Sequence, residues 1–379
     1  MTSILASVML ATAAAASVEA PQPLDAIVRR HAGPFVAEKP YLATVIGVTT
    51  PYGRRVWGFG GIERDGERVT PDGKTVYEIG SITKTFTGSL LADLAREGKV
   101  EIDDPVQKHL PADWTMPTRD GRQISLLHLT THTSSLPRLP PGFGPFMVLT
   151  ASVNDPYSRY ESENLRLSLS QIELDRPIGS RHEYSNLGVG LLGEALAHAA
   201  QEPDSAALFE SRLLHPLGMT DTNFDPTEEQ LSRLAPPFKA NGTAAHIWHF
   251  KCLKSCGGLR STADDLLTYA EAALGRTETS LKPAFDVAMQ PWRQTCEGER
   301  AIGFGWYVQP MDLPRKTNGA SRSGRLIWHG GATGGYRTFL GLLPECDSAI
   351  VVLSNSTESV DPALTWPVMK AIAREHAKR

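Results

Sequence analysis

The sequence predicts an α/β chain, of the α+β type, with an antiparallel sheet flanked by helices and an all-α lobe. Three observations lead there: strand patterns near both termini, helical periodicity between them, and 33 Gly and 27 Pro in 379 residues, enough for many loops. Leu24 to His31 suits a short helix. Leu42 to Thr49 and Arg54 to Gly60 read as two strands around a Pro51-Tyr52-Gly53 turn, a β-hairpin. From Ser81 the period changes to 3.6, with Phe86, Leu90, Leu91 and Leu94 on one face and Gly98 as the stop, so one buried face is expected. From about Val100 to Leu313, helical runs (Leu187 to Ala200, Ala206 to Leu214, Thr262 to Leu274) alternate with loops such as Leu136 to Phe146. Strands return at Leu326 to Gly330, Tyr336 to Leu343 and Ala349 to Leu353, and Pro367 to His376 can form a closing helix. Sheet segments at both ends place an α/β lobe at about 21–100 and 300–379, and a helical lobe at about 101–299.

A formal net charge of −4 carries no basic stripe to track phosphates, which argues against a nucleic-acid partner. Past the N-terminus no apolar run reaches the roughly 18 to 20 residues that span a bilayer. Ile4 to Ala16 is an apolar stretch of signal-peptide length, followed by Ser17-Val18-Glu19-Ala20 with small or β-branched residues at the cleavage positions. Residues 1–20 are therefore expected to be a cleaved leader, the mature protein being periplasmic or secreted. In an oxidising compartment Cys252, Cys256, Cys296 and Cys346 could form one or two disulfides.

Three motifs carry chemistry. Ser81-Ile82-Thr83-Lys84 puts a hydroxyl at a helix entry and an amine one turn on, on the same face. Tyr184 and Asn186 precede the helix from Leu187; a free Tyr ionises near about 10 and a Lys near about 10.4, so Tyr184 could be a base only if a cation such as Lys84 favours its phenolate. The alternative is a Tyr with a satisfied hydroxyl and an Asn that caps the helix. Trp328-His329-Gly330-Gly331-Ala332 ends a strand: the glycines let a substrate backbone approach, His329 could serve as donor or partial cation, and the Ala332 N–H could pair with that of Ser81 as an oxyanion hole.

In this order the motifs resemble the class C β-lactamase and penicillin-binding-protein family of serine hydrolases. Leu126 to Pro137 (LLHLTTHTSSLP), Leu217-Gly218-Met219 and Gly257 to Ala263 agree, and the Leu136-Pro137-Arg138 loop looks most like the AmpH type of carboxypeptidase/endopeptidase. The resemblance implies the serine β-lactamase/DD-peptidase fold. It also implies an acyl-enzyme mechanism on β-lactams or D-alanyl-D-alanine peptides of peptidoglycan, with no metal or organic cofactor. Ser81 would attack, Lys84 and Tyr184 would shuttle the proton, Ser81 and Ala332 would hold the oxyanion, and Asn186, His329, Gly330, Gly331 and Asn355 would bind substrate. A carboxylesterase on the same fold and a non-catalytic penicillin or muropeptide sensor are the alternatives; the complete proton-transfer set argues against the sensor.

The family's β-lactamases commonly carry Lys-Thr-Gly where this chain has His329-Gly330-Gly331, so a cation and a hydroxyl are missing. Arg138, Arg322 and Arg337 are candidates to replace the charge. His246-x-x-His249-x-x-Cys252-x-x-x-Cys256 has the residue types and spacing of a tetrahedral zinc site, an alternative to disulfides.

Overall fold

A computed structural model describes residues 23–141, 154–313 and 322–377. The expected leader at 1–20, and the part of the Leu136 to Phe146 loop beyond residue 141, lie outside the described residues. The helices that frame the architecture are α1 (Pro23–Val36), α2 (Thr83–Arg96), α3 (Asn186–Ala200), α4 (Ala263–Leu274), α5 (Lys282–Ala288) and α6 (Trp366–Ala377). The strands of the main sheet are β1 (Ala43–Thr50), β2 (Gly53–Gly60), β3 (Arg293–Gln294), β4 (Ala301–Ile302), β5 (Tyr307–Leu313), β6 (Arg322–Ala332), β7 (Arg337–Leu343) and β8 (Ser348–Ser354). All neighbours pair antiparallel, in the order β2-β1-β8-β7-β6-β5-β4-β3.

The central strands read as nearly continuous apolar runs because both sheet faces are covered, and successive side chains go to opposite faces. In β8, Ala349, Val351 and Leu353 enter one core while Ile350 and Val352 enter the other. β1 obeys the same parity, with Val45 on the first face and Ile46 and Val48 on the second. On the second face lie α1 and α6, through Leu24, Val28, Val368, Met369 and Ile372. The first face is covered by α4, through Leu266 and Leu267, and its core runs on without a break into α2 and α3. A one-residue slip in β8 would exchange the two sets, so this alternation fixes the register.

Helix α2 is buried more thoroughly than its one apolar face predicts: every residue from Thr83 to Leu94 is buried. Phe86, Leu90, Leu91 and Leu94 each contribute about 1.5–3 kcal/mol by leaving water, and Phe86 stacks on Tyr269 at 3.9 Å. The polar side chains on the other faces stay buried because each finds a partner. Thr87 Oγ1 donates to the Ser255 carbonyl at 2.6 Å, and Ser89 Oγ lies 3.1 Å from the Tyr269 hydroxyl.

Two parts of the architecture depart from the sequence reading. Strands β3, β4 and β5 were not anticipated, and β3 brings residues 293–294 from the middle segment onto the sheet edge. In β5, Pro310 hides the signal; it is tolerated because β4 pairs only with Tyr307 and Val308, leaving the Pro310 side free of a ladder partner. The run Ala206 to Leu214 is helical, but only to Phe209, after which Glu210–Leu214 widens to a π turn. No helix among the described residues is long and apolar enough to cross a membrane.

Candidate active site

Ser81 sits on a short 3-10 turn, Gly80–Ile82, that leads directly into α2. Gly80 has φ +53°, and a Cβ there would lie 2.6 Å from the Ala332 nitrogen. Glycine is thus required twice, for the left-handed backbone and for the approach of the strand end. At Gly331 a Cβ would stand 2.0 Å from the Ile79 carbonyl oxygen. These contacts press the Ser81 turn against the end of β6 and put the Ser81 and Ala332 amides on neighbouring backbone.

Two side chains meet at Ser81 Oγ. Lys84 Nζ lies at 3.1 Å, and the Tyr184 hydroxyl donates to it at 2.7 Å. Lys84 Nζ also donates to Asn186 Oδ1 at 2.8 Å and to the Cys256 carbonyl at 2.5 Å. Ser185, not Asn186, caps α3: its Oγ accepts the Gly188 N–H at 2.9 Å. Asn186 is thereby free to bridge Lys84 and Tyr157, whose hydroxyl accepts from its Nδ2 at 3.0 Å.

Burial decides the electrostatics of this group. Lys84 is fully buried, and desolvation, helped by the nearby Arg138 charge, brings its pKa down to about 8. Desolvation raises the Tyr184 phenol well above its ordinary range, outweighing the hydrogen bond to Ser81. Lys84 does lie over the Tyr184 ring, 4.7 Å from its centroid. The expectation of a phenolate stabilised by that cation is nevertheless corrected, since loss of hydration dominates both groups.

A cleft of about 560 Å³ opens over Ser81 and is lined by Tyr184, His329, Gly330, Gly331 and Ala332 among others. His329 is 3% exposed. Its Nδ1 lies 2.7 Å from the Gly330 carbonyl, and its Nε2 has no partner among the described residues. Burial, then the Lys84 charge, lowers its pKa to about 3. His329 is accordingly neutral, with the Nδ1 proton on Gly330 and an acceptor at Nε2, so the expected partial cation is absent.

Positive charge enters the cleft from elsewhere. Arg138, with its guanidinium 4.9 Å from the Tyr184 ring centroid, and Arg337 both line it. Arg322 starts β6, ten residues before Ala332; at about 3.3 Å per residue it is roughly 33 Å away.

Asn355 does not face the cleft. It is 1% exposed: its Oδ1 accepts the Ala43 N–H at 2.7 Å, and its Nδ2 donates to the carbonyls of Tyr41 at 3.1 Å and Pro236 at 2.7 Å. Its amide oxygen and both amide protons are engaged, tying the end of β8 to the start of β1 and to Pro236, which corrects the expectation of a substrate contact.

The zinc reading fails on geometry. His246 and His249 are exposed while Cys252 and Cys256 are buried. His249 Nδ1 is taken by Asp155 at 2.6 Å, and Cys252 Sγ donates to the Tyr160 carbonyl at 2.9 Å. Burial pushes the Cys256 thiol up to about 11, away from the thiolate a metal requires. Among the described residues no three His, Cys, Asp or Glu side chains are placed to hold a metal ion. The expected disulfides are also corrected, because all four cysteines are free and only Cys296, on the cleft rim, is exposed. Thiol titration should therefore find one fast-reacting group in the folded protein and four after unfolding without reductant; two or fewer in the unfolded chain would show that a disulfide forms.

The segment His132 to Arg138 is a contributor whose role the sequence did not disclose. Its residues lie against the backbone that carries Tyr184, with the His132 and Tyr184 rings 4.5 Å apart. Its signal was present, in the LLHLTTHTSSLP run, but apart from Arg138, a candidate cation, without a chemical assignment.

A sequence-family profile described as Beta-lactamase matches residues 28–374. The D-alanyl-D-alanine-carboxypeptidase/endopeptidase AmpH of Escherichia coli (strain K12) is 30% identical over 376 residues, covering 93% of this chain and 91% of that protein. A beta-lactamase of the same strain is 26% identical over 397 residues, covering 96% of this chain and 98% of its own length. Among solved structures, a beta-lactamase/D-alanine carboxypeptidase from Yersinia pestis complexed with citrate has a TM-score of 0.73 at 25% identity, covering 93% of this chain and 97% of that one. A class C beta-lactamase reaches 0.76 at 20% identity, covering 93% and 98%, a likeness of fold alone.

Proposed function

The chain belongs to the Beta-lactamase family of serine hydrolases, and from that premise we propose that it is exported and forms an acyl-enzyme through Ser81 with β-lactams or with D-alanyl-D-alanine peptides of peptidoglycan. The observation that carries this reading is the position of Ser81 Oγ between Lys84 Nζ and the Tyr184 hydroxyl. Export rests on the apolar Ile4 to Ala16 stretch, and the catalytic domain would then begin near residue 21.

The proton inventory supports an order of events. As an ammonium, Lys84 donates three hydrogen bonds, to Ser81 Oγ, Asn186 Oδ1 and the Cys256 carbonyl, and has no lone pair. Once neutral, it must turn its lone pair toward one of the three, and only the Ser81 hydroxyl carries a proton. Lys84 would then take the Ser81 proton as Oγ attacks the substrate carbonyl. The Ser81 and Ala332 amides would stabilise the oxyanion. Tyr184, kept protonated by burial, would pass its proton to the leaving nitrogen and regain one from Lys84. Asn186 would hold the substrate amide, and Gly330 and Gly331 would let its backbone lie along β6.

Tyr184→Phe removes the donor without changing the packed ring, so acylation should fall by about 10²- to 10⁴-fold while the fold is retained. Stopped-flow acylation measures it; a near-normal rate would leave Lys84 to serve both transfers.

Arg138, beside the Tyr184 ring, favours substrates with a carboxylate over plain esters, whereas Arg337 shares its wall of the cleft with Asp361. Intact-mass spectrometry after adding benzylpenicillin tests the reading. A stable adduct on Ser81 supports a penicillin-binding peptidase, and rapid turnover without adduct supports a lactamase. No reaction with the penicillin, together with cleavage of a p-nitrophenyl ester, would replace the reading with a carboxylesterase.

A further inference from the structure

The backbone that presents Tyr184 is gripped by a segment distant in sequence, and His132 is where the grip is double. The Glu183 N–H donates to the His132 carbonyl at 2.7 Å, and the Ser185 N–H donates to His132 Nδ1 at 3.1 Å. The N–H groups of both residues flanking Tyr184 thus end on one residue, whose ring also lies 4.5 Å from the Tyr184 ring, tilted by 36°. Neighbouring bonds extend the contact without touching Tyr184 itself. The Gly179 N–H donates to the Thr133 carbonyl at 2.8 Å, Ser185 Oγ to the Pro137 carbonyl at 2.7 Å, and the Asn186 N–H to the Arg138 carbonyl at 2.9 Å.

We propose that His132 is a positioning residue for the hydrolase reaction: through its carbonyl and Nδ1 it sets the Tyr184 hydroxyl on Ser81 Oγ. The inference rests on the acyl-enzyme reading above. Two features of the residue are otherwise unexplained. His132 has φ +57°, a left-handed backbone that residues other than Gly adopt uncommonly, His more often than most. It is also a wholly buried histidine that must stay neutral for Nδ1 to accept, and burial, with the charge of Lys84 second, holds its pKa well below the ordinary value. A buried polar ring in a strained conformation persists where the surroundings over-determine it, and here both bonds it receives come from the residues on either side of Tyr184.

A displacement of Tyr184 by about 1 Å is enough to cost on the order of 10²-fold in rate. The test compares two amide replacements that differ in where the acceptor sits. His132→Asn puts Oδ1 near the Nδ1 position and tolerates the left-handed backbone. His132→Gln carries its oxygen one bond farther, near Nε2, where it cannot receive the Ser185 N–H. With benzylpenicillin, whose leaving group is the ring nitrogen that Tyr184 would protonate, and single-turnover kinetics, the Asn variant should acylate within a few-fold of wild type. The Gln variant should be about 10²-fold slower, with KM and the final acylated fraction of Ser81 unchanged. A merely structural role would lower both variants alike and would reduce the acylated fraction, and either result would overturn the proposal, as would a Gln variant at the wild-type rate. A wild type that forms no acyl-enzyme would instead overturn the hydrolase reading itself.

Discussion

Ser81→Ala should abolish acyl-enzyme formation and lower turnover by on the order of 10⁴- to 10⁶-fold, whichever of the β-lactam, D-alanyl peptide or ester is the true substrate. Without Oγ there is no nucleophile to be acylated, and a water in its place would lack the entropic advantage of a tethered attacking atom. The substitution is structurally mild. Ser81 is a half-buried residue on a 3-10 turn, and the turn is held by backbone contacts with β6 rather than by the hydroxyl. Intact-mass spectrometry with benzylpenicillin or p-nitrophenyl acetate should show no adduct, and circular dichroism should show an unchanged fold. A remaining adduct at another residue, or turnover at the wild-type rate, would remove Ser81 from the mechanism.

Lys84→Ala should cost about 10²- to 10⁴-fold in acylation, and the wild-type pH profile should reveal why. The competent form is the neutral amine, and its pKa has been brought down to about 8. The acylation rate should therefore rise with pH, gain most of its amplitude through about pH 8, and level off above it. In the alanine variant that rise should be gone. Stability carries the opposite face of the same shift. The folded pKa lies below the ordinary 10.5, so between the two values the unfolded chain binds more protons, and stability grows as pH rises across that window. A profile flat from pH 6 to 9 in an enzyme that still requires Lys84 would show that the ammonium, not the amine, is the working form.

The elements and the Ser81–Lys84 pair were legible in the sequence because their signals are local. Residues three apart on a helix share a face, apolar residues at alternate positions share a sheet face, and Gly, Ser and Thr mark where helices stop and start. Strand β5 escaped because Pro310 breaks the pattern at a position whose edge character is a property of its neighbour β4. Helix α2 was read as one-faced because its polar side chains look solvent-facing until their partners, Ser255 and Tyr269, arrive from more than 160 residues away.

The state of each functional group was decided by tertiary structure. Lys84 owes its lowered pKa to full burial, and its third hydrogen-bond partner is the Cys256 carbonyl, 172 positions along the chain. His329 is neutral rather than cationic, Tyr184 is held as a phenol, Asn355 is a tie between strands, and the cysteines and histidines of the supposed zinc site lie in different environments. Residue type and spacing, by themselves, determined the family, the strands and helices other than β3 to β5, and the side chains able to react. Only the folded molecule determined which of them are desolvated and where each proton resides, because the loss of hydration that sets those properties comes from atoms that sequence order keeps far apart.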